Sequence, residues 1–254
     1  MIPEERRERI IDLVEKYGVM SIPDLSNHLD VSLITVRRDL KILETENKIK
    51  TVFGGVKTTK RINTEPNRGF FEKRAVNQKK AIVSYAASLI PENSCIYLDA
   101  GTTTYMLAEL LCKRKDLVIV TNDFYITNLL LDNSEHQLIH TGGSVSKSNH
   151  SCTGNFAAVA LQNYNIDLAF ISATSWNSSG ITTSDENKVA IKRALLNSSK
   201  KRILLCDSSK YGTDATYIAL PITAFDSIIT DNDLDAKEQE KIIEQHINLI
   251  VLKY

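Results

Sequence analysis

The stretch VSLITVRRDL, residues 31–40, sets two adjacent arginines inside an otherwise amphipathic helical pattern. At about 100° per residue, Leu33, Val36, Leu40 and Leu43 gather on one side, while Ile34, Thr35, Arg37, Arg38 and Lys41 spread over the other. One face is core and the other is basic. A solvated helix could carry the same charges, so the flanking residues decide what the arginines meet.

Upstream, EERRERIIDLVEKYG places Ile10, Val14 and Tyr17 at helical spacing, with Gly18 as a stop. In SIPDLSNHL, Ser21 suits an N-cap, Pro23 the first turn, Asp24 the positive end of the helix dipole, and Leu25 and Leu29 a buried face. Only Asp30, Val31 and Ser32 separate this segment from the basic helix. Two short helices joined so tightly, with a third behind, predict a helix-turn-helix whose second member enters the DNA major groove.

Downstream, NKIKTVFGGVKTT reads as two strands around Gly54 and Gly55, a hairpin that forms a wing. Lys48, Lys50 and Lys57 are then expected on flanking phosphates, supplying affinity without sequence information. Ser32, Ile34, Thr35, Arg37, Arg38 and Lys41 form the expected helix contacts, with Arg38 suited to a guanine edge and Ile34 to a thymine methyl. Asp39, beside the core face, is expected to pair with an arginine of the protein itself.

Charge distribution agrees with this division. The 254 residues carry equal numbers of basic and acidic side chains, but residues 1–80 hold 17 Lys and Arg against 12 Asp and Glu. Residues 33–61 alone hold eight basic and three acidic side chains, a bias suited to a phosphate backbone. The start, MIPEERRERI, is too charged for a secretory signal, and no run of about 18 apolar residues occurs, so a cytoplasmic location without a membrane segment is expected. Cys95, Cys112, Cys152 and Cys206 are dispersed, and His136 and His140 bracket a strand-like QLI, so neither a metal nor a cofactor is expected.

VSLITVRRDLKILETENKIKTVFGGV resembles the signature of the DeoR family of bacterial transcriptional regulators, roughly VS-x-x-T-[IV]-RRDL-x-x-L followed by a wing ending in HGGA. Ser32, Thr35, Arg37, Arg38, Asp39, Leu40, Leu43, Gly54 and Gly55 agree in order and spacing. Thr51 and Phe53 stand where the family usually has arginine and histidine. The resemblance implies a winged helix-turn-helix over residues 1–57 and an operator of double-stranded DNA bound by a homo-oligomer, dimer or tetramer.

Residues 58–71, with Asn63, Pro66, Asn67 and Gly69, read as a linker. From Glu72 a helix is expected to run to Leu89. Seven short apolar runs follow: CIYLD (95–99), LVIVT (117–121), QLIH (137–140), LAFIS (168–172), RILLCD (202–207), SIIT (227–230) and NLIVL (248–252). Separated by helical segments, they predict an α/β domain over residues 72–254 with a mainly parallel sheet covered on both faces.

Ligands of such sheets bind at the carboxyl ends of the strands, where AGTTTY, NDF, TGG, ATSW and SSKYG follow five of these runs. Gly101 permits close backbone approach, and Thr102, Thr103 and Thr104 offer hydroxyls and amides at a helix start, a cradle for a phosphate or carboxylate. DAGTTT, TN, TGG, D-x-AF-x-SA and D-x-SKYG resemble the sensor domain of the same family. That domain is similar in fold to ribose-5-phosphate isomerase and glucosamine-6-phosphate deaminase and usually binds a phosphorylated sugar.

The resemblance implies that Asp99, Gly101, Thr102, Thr103 and Thr104 hold the anionic end of an effector. It further implies that Asn122, Gly142, Gly143, Asp167 and Ser172 line the pocket and that Lys210 brings a cation. Lys188, in ENKVAIKRAL, stands where the family usually has glutamate, which suits an acidic ligand such as a sugar acid. The competing expectation is a sugar-phosphate isomerase or deaminase with an added DNA-binding head, for which Asp99, Asp167 and Asp207 are the candidate bases. The acid-rich catalytic segment of those enzymes is missing, so a regulator, not an enzyme, is expected.

Overall fold

The computed structural model describes residues 1–17, 19–46, 48–52, 55–58 and 68–254. Gly18, Phe53 and Gly54, and residues 59–67 of the expected linker, lie outside this set.

The N-terminal head comprises α1 (Pro3–Tyr17), β1 (Val19–Met20), α2 (Ile22–Leu29), α3 (Leu33–Thr45), β2 (Ile49–Val52) and β3 (Gly55–Thr58). Serines start both helices of the pair. Ser21 Oγ accepts from Asp24 N at 3.1 Å, and Ser32 Oγ accepts from Thr35 N at 3.2 Å, each satisfying an amide that the first turn leaves open. Ile10, Val14, Leu25, Leu29, Val36, Leu40 and Leu43 close a small core with Met20, Ile49 and Val56. Each such side chain stabilises the head by roughly 1.5–3 kcal/mol on burial. Leu33, expected in this core, is 43% exposed because it sits in the first turn of α3, before the helix meets its neighbours.

The wing is a three-stranded antiparallel sheet in the order β1-β3-β2. Gly55 does not belong to the turn: it opens β3, paired with Val52, and a Cβ there would lie 2.3 Å from Met20 O. Its role is to let β1 approach.

The remaining elements are α4 (Arg68–Glu72), α5 (Val76–Ser88), β4 (Cys95–Leu98), α6 (Thr102–Leu111), β5 (Val118–Thr121), α7 (Phe124–Asn133), β6 (Gln137–His140), β7 (Ser144–Ser146), β8 (Ser151–Thr153), α8 (Asn155–Leu161), β9 (Ile166–Ile171), β10 (Ser175–Asn177), β11 (Gly180–Thr183), α9 (Glu186–Ser198), β12 (Ser199–Leu205), β13 (Tyr217–Pro221), β14 (Ser227–Asp231), α10 (Ala236–Ile243) and β15 (Asn248–Leu252). The helix expected from Glu72 to Leu89 starts later, at Val76, after Ala75 takes φ 48°, and residues 68–71 of the expected linker belong to the short helix α4. The Lys79 ammonium reaches back from α5 to Phe71 O and Glu72 O, at 2.8 and 3.1 Å, capping the end of α4.

All seven expected strands form one parallel sheet in the order β15-β14-β12-β9-β4-β5-β6. The strands alternate their side chains between two cores. Ile96 and Leu98 face α5, α6 and α7 through Ile82, Leu107 and Ile126, whereas Tyr97 joins Leu161, Leu195 and Ile242 of α8, α9 and α10 on the other side. From β4 the chain moves outward through β5 to β6, then returns to place β9 on the opposite flank of β4. This reversal opens a crevice at the carboxyl ends of β4 and β9.

Head and sheet domain touch. Tyr17 stacks on Phe70 with ring centres 4.6 Å apart, Arg74 donates to Val19 O, and the Lys57 ammonium of β3 donates to Gly212 O.

Candidate functional site

On the head, Ser32, Ile34, Arg37, Arg38 and Lys41 share the exposed side of α3 with half-buried Thr35, and Ile34 is 77% exposed. An exposed isoleucine among arginines is costly in water and useful against a base edge. Ser32 and Thr35 also serve the fold, since their hydroxyls lie 2.9 Å apart at the helix start. Lys48 and Lys50 are exposed on the wing, Lys48 beside Glu46 at 2.7 Å. Lys57 departs from the expectation. Its ammonium is held by Gly212 O, and burial is the main cause pushing its pKa down, so in this conformation it faces the other domain and not a phosphate.

The crevice between β4 and β9 is a narrow cleft open to solvent. Asp99 follows β4 and crosses the switch point: its Oδ2 accepts from Ser172 N at 3.0 Å, Ser172 Oγ at 3.1 Å and Lys192 Nζ at 2.5 Å. Lys192 also donates to Ser172 O at 2.7 Å. Asp99, expected at the anionic end of an effector, thus spends this carboxylate oxygen on a lysine and a serine. Gly101 lies against them; a Cβ there would come within 2.8 Å of the Ser172 side chain.

Asn122 shapes the floor. Its Oδ1 accepts from Tyr97 OH and Ala100 N at 2.9 and 3.0 Å, and its Nδ2 donates to Cys152 O at 2.9 Å. Burial first, and then Asp99, drives the Tyr97 phenol far above its ordinary pKa, which keeps it a hydrogen-bond donor. Asp123 caps α7 through Tyr125 N and Ile126 N, and its other oxygen accepts from Arg68 at 2.7 Å and Gly101 N at 3.2 Å. Burial raises the Asp123 pKa, opposed by Arg68. The Arg68 guanidinium lies 4.3 Å from the Tyr125 ring centre and 5.1 Å from that of Tyr105, a pocket cation fixed by stacking as well as charge.

Of the residues expected here, Asp99, Gly101, Thr102, Asn122, Ser172, Lys188 and Lys210 do line the cleft. The other five do not. Thr103 is fully buried in the first turn of α6, and Thr104 Oγ1 donates to Asp99 O at 2.6 Å, fastening the loop below. Gly143, at φ 118°, is needed where a Cβ would lie 2.8 Å from Thr153 O; Gly142 has open space around it. Asp167 is the second residue of β9, at the amino end of this interior strand and so away from the cleft, where it accepts from Cys95 N at 2.9 Å and pairs with Lys200 at 2.7 Å. Lys200 is the first cause of its lowered pKa.

Sequence reasoning missed Arg68 and Lys192. Lys192 had a signal, since it stands four residues after Lys188 and so shares its helix face. Arg68 had none, because only the packing of α4 against α6 aims it into the cleft.

Residues 6–61 match the DeoR-like helix-turn-helix domain, and residues 74–232 match the DeoR C terminal sensor domain. The HTH-type transcriptional regulator YgbI of Escherichia coli K12 is 46% identical over 100% of this chain and 99% of its own. The glycerol-3-phosphate regulon repressor of Escherichia coli K12 is 27% identical over 96% of this chain and 97% of its own. Ribose 5-phosphate isomerase A from Methanocaldococcus jannaschii aligns with 52% of this chain and 53% of its own, at 16% identity and a TM-score of 0.39. With both family domains in their expected order and a relative this similar along its whole length, the chain belongs to the DeoR family of transcriptional regulators.

Proposed function

We propose that this protein is a repressor of a carbohydrate or sugar-acid catabolic operon, whose operator affinity changes when a small anionic effector, a phosphorylated sugar or sugar acid, fills the cleft. The head of residues 1–57 reads double-stranded DNA, and residues 72–254 sense the ligand together with Arg68 and Phe71 of α4, from the segment 58–71 that joins the two. It acts in the cytoplasm as a homodimer or tetramer, because one small head buries too little surface for specific binding and repeated half-sites call for repeated heads.

The observation that carries the reading is the wall of the cleft, where Arg68, Lys188, Lys192 and Lys210 bring four cationic side chains to one crevice, with Asp99 bonded to Lys192 and Asp123 to Arg68. Ligand preference for one arrangement of head and sensor shifts the operator equilibrium by the difference in affinity, typically 1–3 kcal/mol. A catalytic reading lacks a base. Asp99 is held by Lys192 and Ser172, Asp167 sits at the amino end of β9, and Asp207 accepts from Ser209 Oγ outside the lining.

The test is anisotropy of the full chain on the DNA upstream of its own gene and on random duplex, with and without a panel of sugar phosphates and sugar acids. Preference for the native fragment, altered by at least one anion, is expected. Equal affinity for both duplexes under every condition would overturn the proposal.

A further inference from the structure

Two residues of the cleft wall also belong to the seam with the head. Lys210 and Phe71 line the cleft, and the same two border the narrow gap against Tyr17 of α1 and Val19 of β1. The Lys210 ammonium lies 4.9 Å from the Phe71 ring centre, a cation–π contact on this shared wall. The Asp207 carboxylate, at 3.9 Å, is too far to fix the ammonium by a hydrogen bond.

From this contact two short routes enter the head. Along α4, Phe71 meets Phe70 edge-on at 5.2 Å, and Phe70 stacks on Tyr17 at 4.6 Å. Arg74 sits 4.6 Å from the centre of the same Phe70 ring while donating to Val19 O. The second route is the turn of residues 208–213. It presents Lys210 to the cleft, and two residues on, Gly212 O accepts from Lys57 of β3. Gly212 N donates to Trp176 O at 2.7 Å, Trp176 Nε1 donates to Asp207 O at 3.3 Å, and Tyr211 OH donates to Glu238 at 2.7 Å. A turn so tightly held has few ways to deform, so a shift of Lys210 is felt at Gly212.

We propose that Lys210 couples the cleft to the head by exchanging partners. On the Phe71 ring it keeps the head seated on the sensor domain; an anion in the cleft draws it off the ring and unseats the head. The exchange is favourable because a charge-assisted bond to an anion is stronger than a partly exposed cation–π contact. Seated heads keep the half-site spacing of an oligomer fixed, and unseating them lowers operator affinity. This rests on the reading of the cleft as the effector site and adds the route from that site to the DNA.

The test needs no effector. Affinity of the full chain for the duplex upstream of its own gene is compared among wild type, Lys210→Met, Lys57→Met and the double variant. Both substitutions keep most of the side-chain stem and remove the charge, so neither opens a large cavity. Lys210→Met is expected to weaken binding about 5-fold or more, the lower range of coupling between sites, although Lys210 lies in the cleft and not on the DNA-reading face. Lys210→Arg, whose guanidinium also stacks on a ring, is expected to stay near wild type. Lys57→Met breaks the seat from the head side, so the double variant is expected to lose no more than the weaker-binding single variant, whereas unconnected sites give losses that multiply. Trp176, the one tryptophan of the chain, is fully buried behind the turn, and its emission is expected to shift in Lys57→Met with the melting transition unchanged. Wild-type affinity in Lys210→Met, losses that multiply in the double variant, or Trp176 emission blind to Lys57→Met overturns this proposal and leaves the anionic-effector reading standing, which is judged on the response of the wild type to anions. Wild-type protein with no preference for the native duplex under any condition overturns both.

Discussion

Asp39, on the inner side of α3, accepts two bonds from the Arg6 guanidinium of α1, at 2.5 and 3.2 Å. It is 1% exposed, and Arg7 lies 3.8 Å away. The acidic residue of the RRDL run thus orients the helix that carries the two arginines. Asp39→Ala leaves the half-buried Arg6 guanidinium without its partner and is expected to destabilise the head by about 1–3 kcal/mol. Faster amide exchange in α1 and α3, with the sheet domain unaffected, measures it. Arg6→Met with Asp39→Leu should recover most of the loss; failure to recover would point to a requirement for the ions themselves.

Arg38 is exposed on the side of α3 turned away from the core of the head. Arg38→Ala is expected to weaken operator binding by about 1–3 kcal/mol and to relax preference at one base position. A uniform loss over all sequences would place it on the phosphate backbone instead.

Two wing lysines should differ in salt dependence. Lys50 is exposed, and Lys50→Ala is expected to flatten the slope of log K against log salt by about 0.9. Lys57 is engaged by Gly212 O, so Lys57→Ala should change that slope less. Equal changes would show that Lys57 leaves the sheet domain when DNA binds.

Neighbouring threonines of α6 separate binding from folding. Thr102→Val removes a hydroxyl from the cleft and should cost about 1 kcal/mol of effector affinity. Thr103 Oγ1 is buried without a partner and outside the cleft, so Thr103→Val should stabilise the fold by up to about 1 kcal/mol and leave ligand affinity unchanged. Calorimetry and thermal melting read both.

Burial pushes the Lys79 ammonium down to about 8, and Lys210 adds to the effect. Between about pH 8 and 10.5 the unfolded chain keeps a proton here that the folded chain has released, so this residue makes stability rise with pH across that window. The wild-type advantage over Lys79→Met should therefore grow by about 2 kcal/mol from pH 7.5 to 10. A constant difference would mean that Lys79 titrates normally.

The seven parallel strands were legible because each is a short, nearly unbroken apolar run, the pattern imposed by burial on both faces. β7, β8, β10, β11 and β13 escaped notice: each is three to five residues long, in loops that carry mixed polarity. The late start of α5 was hidden because Lys73, Arg74 and Ala75 are all good helix formers, while the backbone turns at Ala75. The polar clusters at strand ends put Asp99, Thr102, Ser172 and Lys210 near one another, and all four line the cleft. Asp167 was misplaced because its motif lies at the start of β9, where the same residue type closes a loop by bonding Cys95 N.

The Lys57 grip on Gly212 O bears on how such proteins diversify. A head grafted from one relative onto the sheet domain of another arrives without the surface its β3 strand was shaped against, and Tyr17 loses Phe70 in the same exchange. Recombination of whole domains would then yield proteins that still dock on operators yet ignore their metabolite, until matching changes accumulate on both sides of the seam.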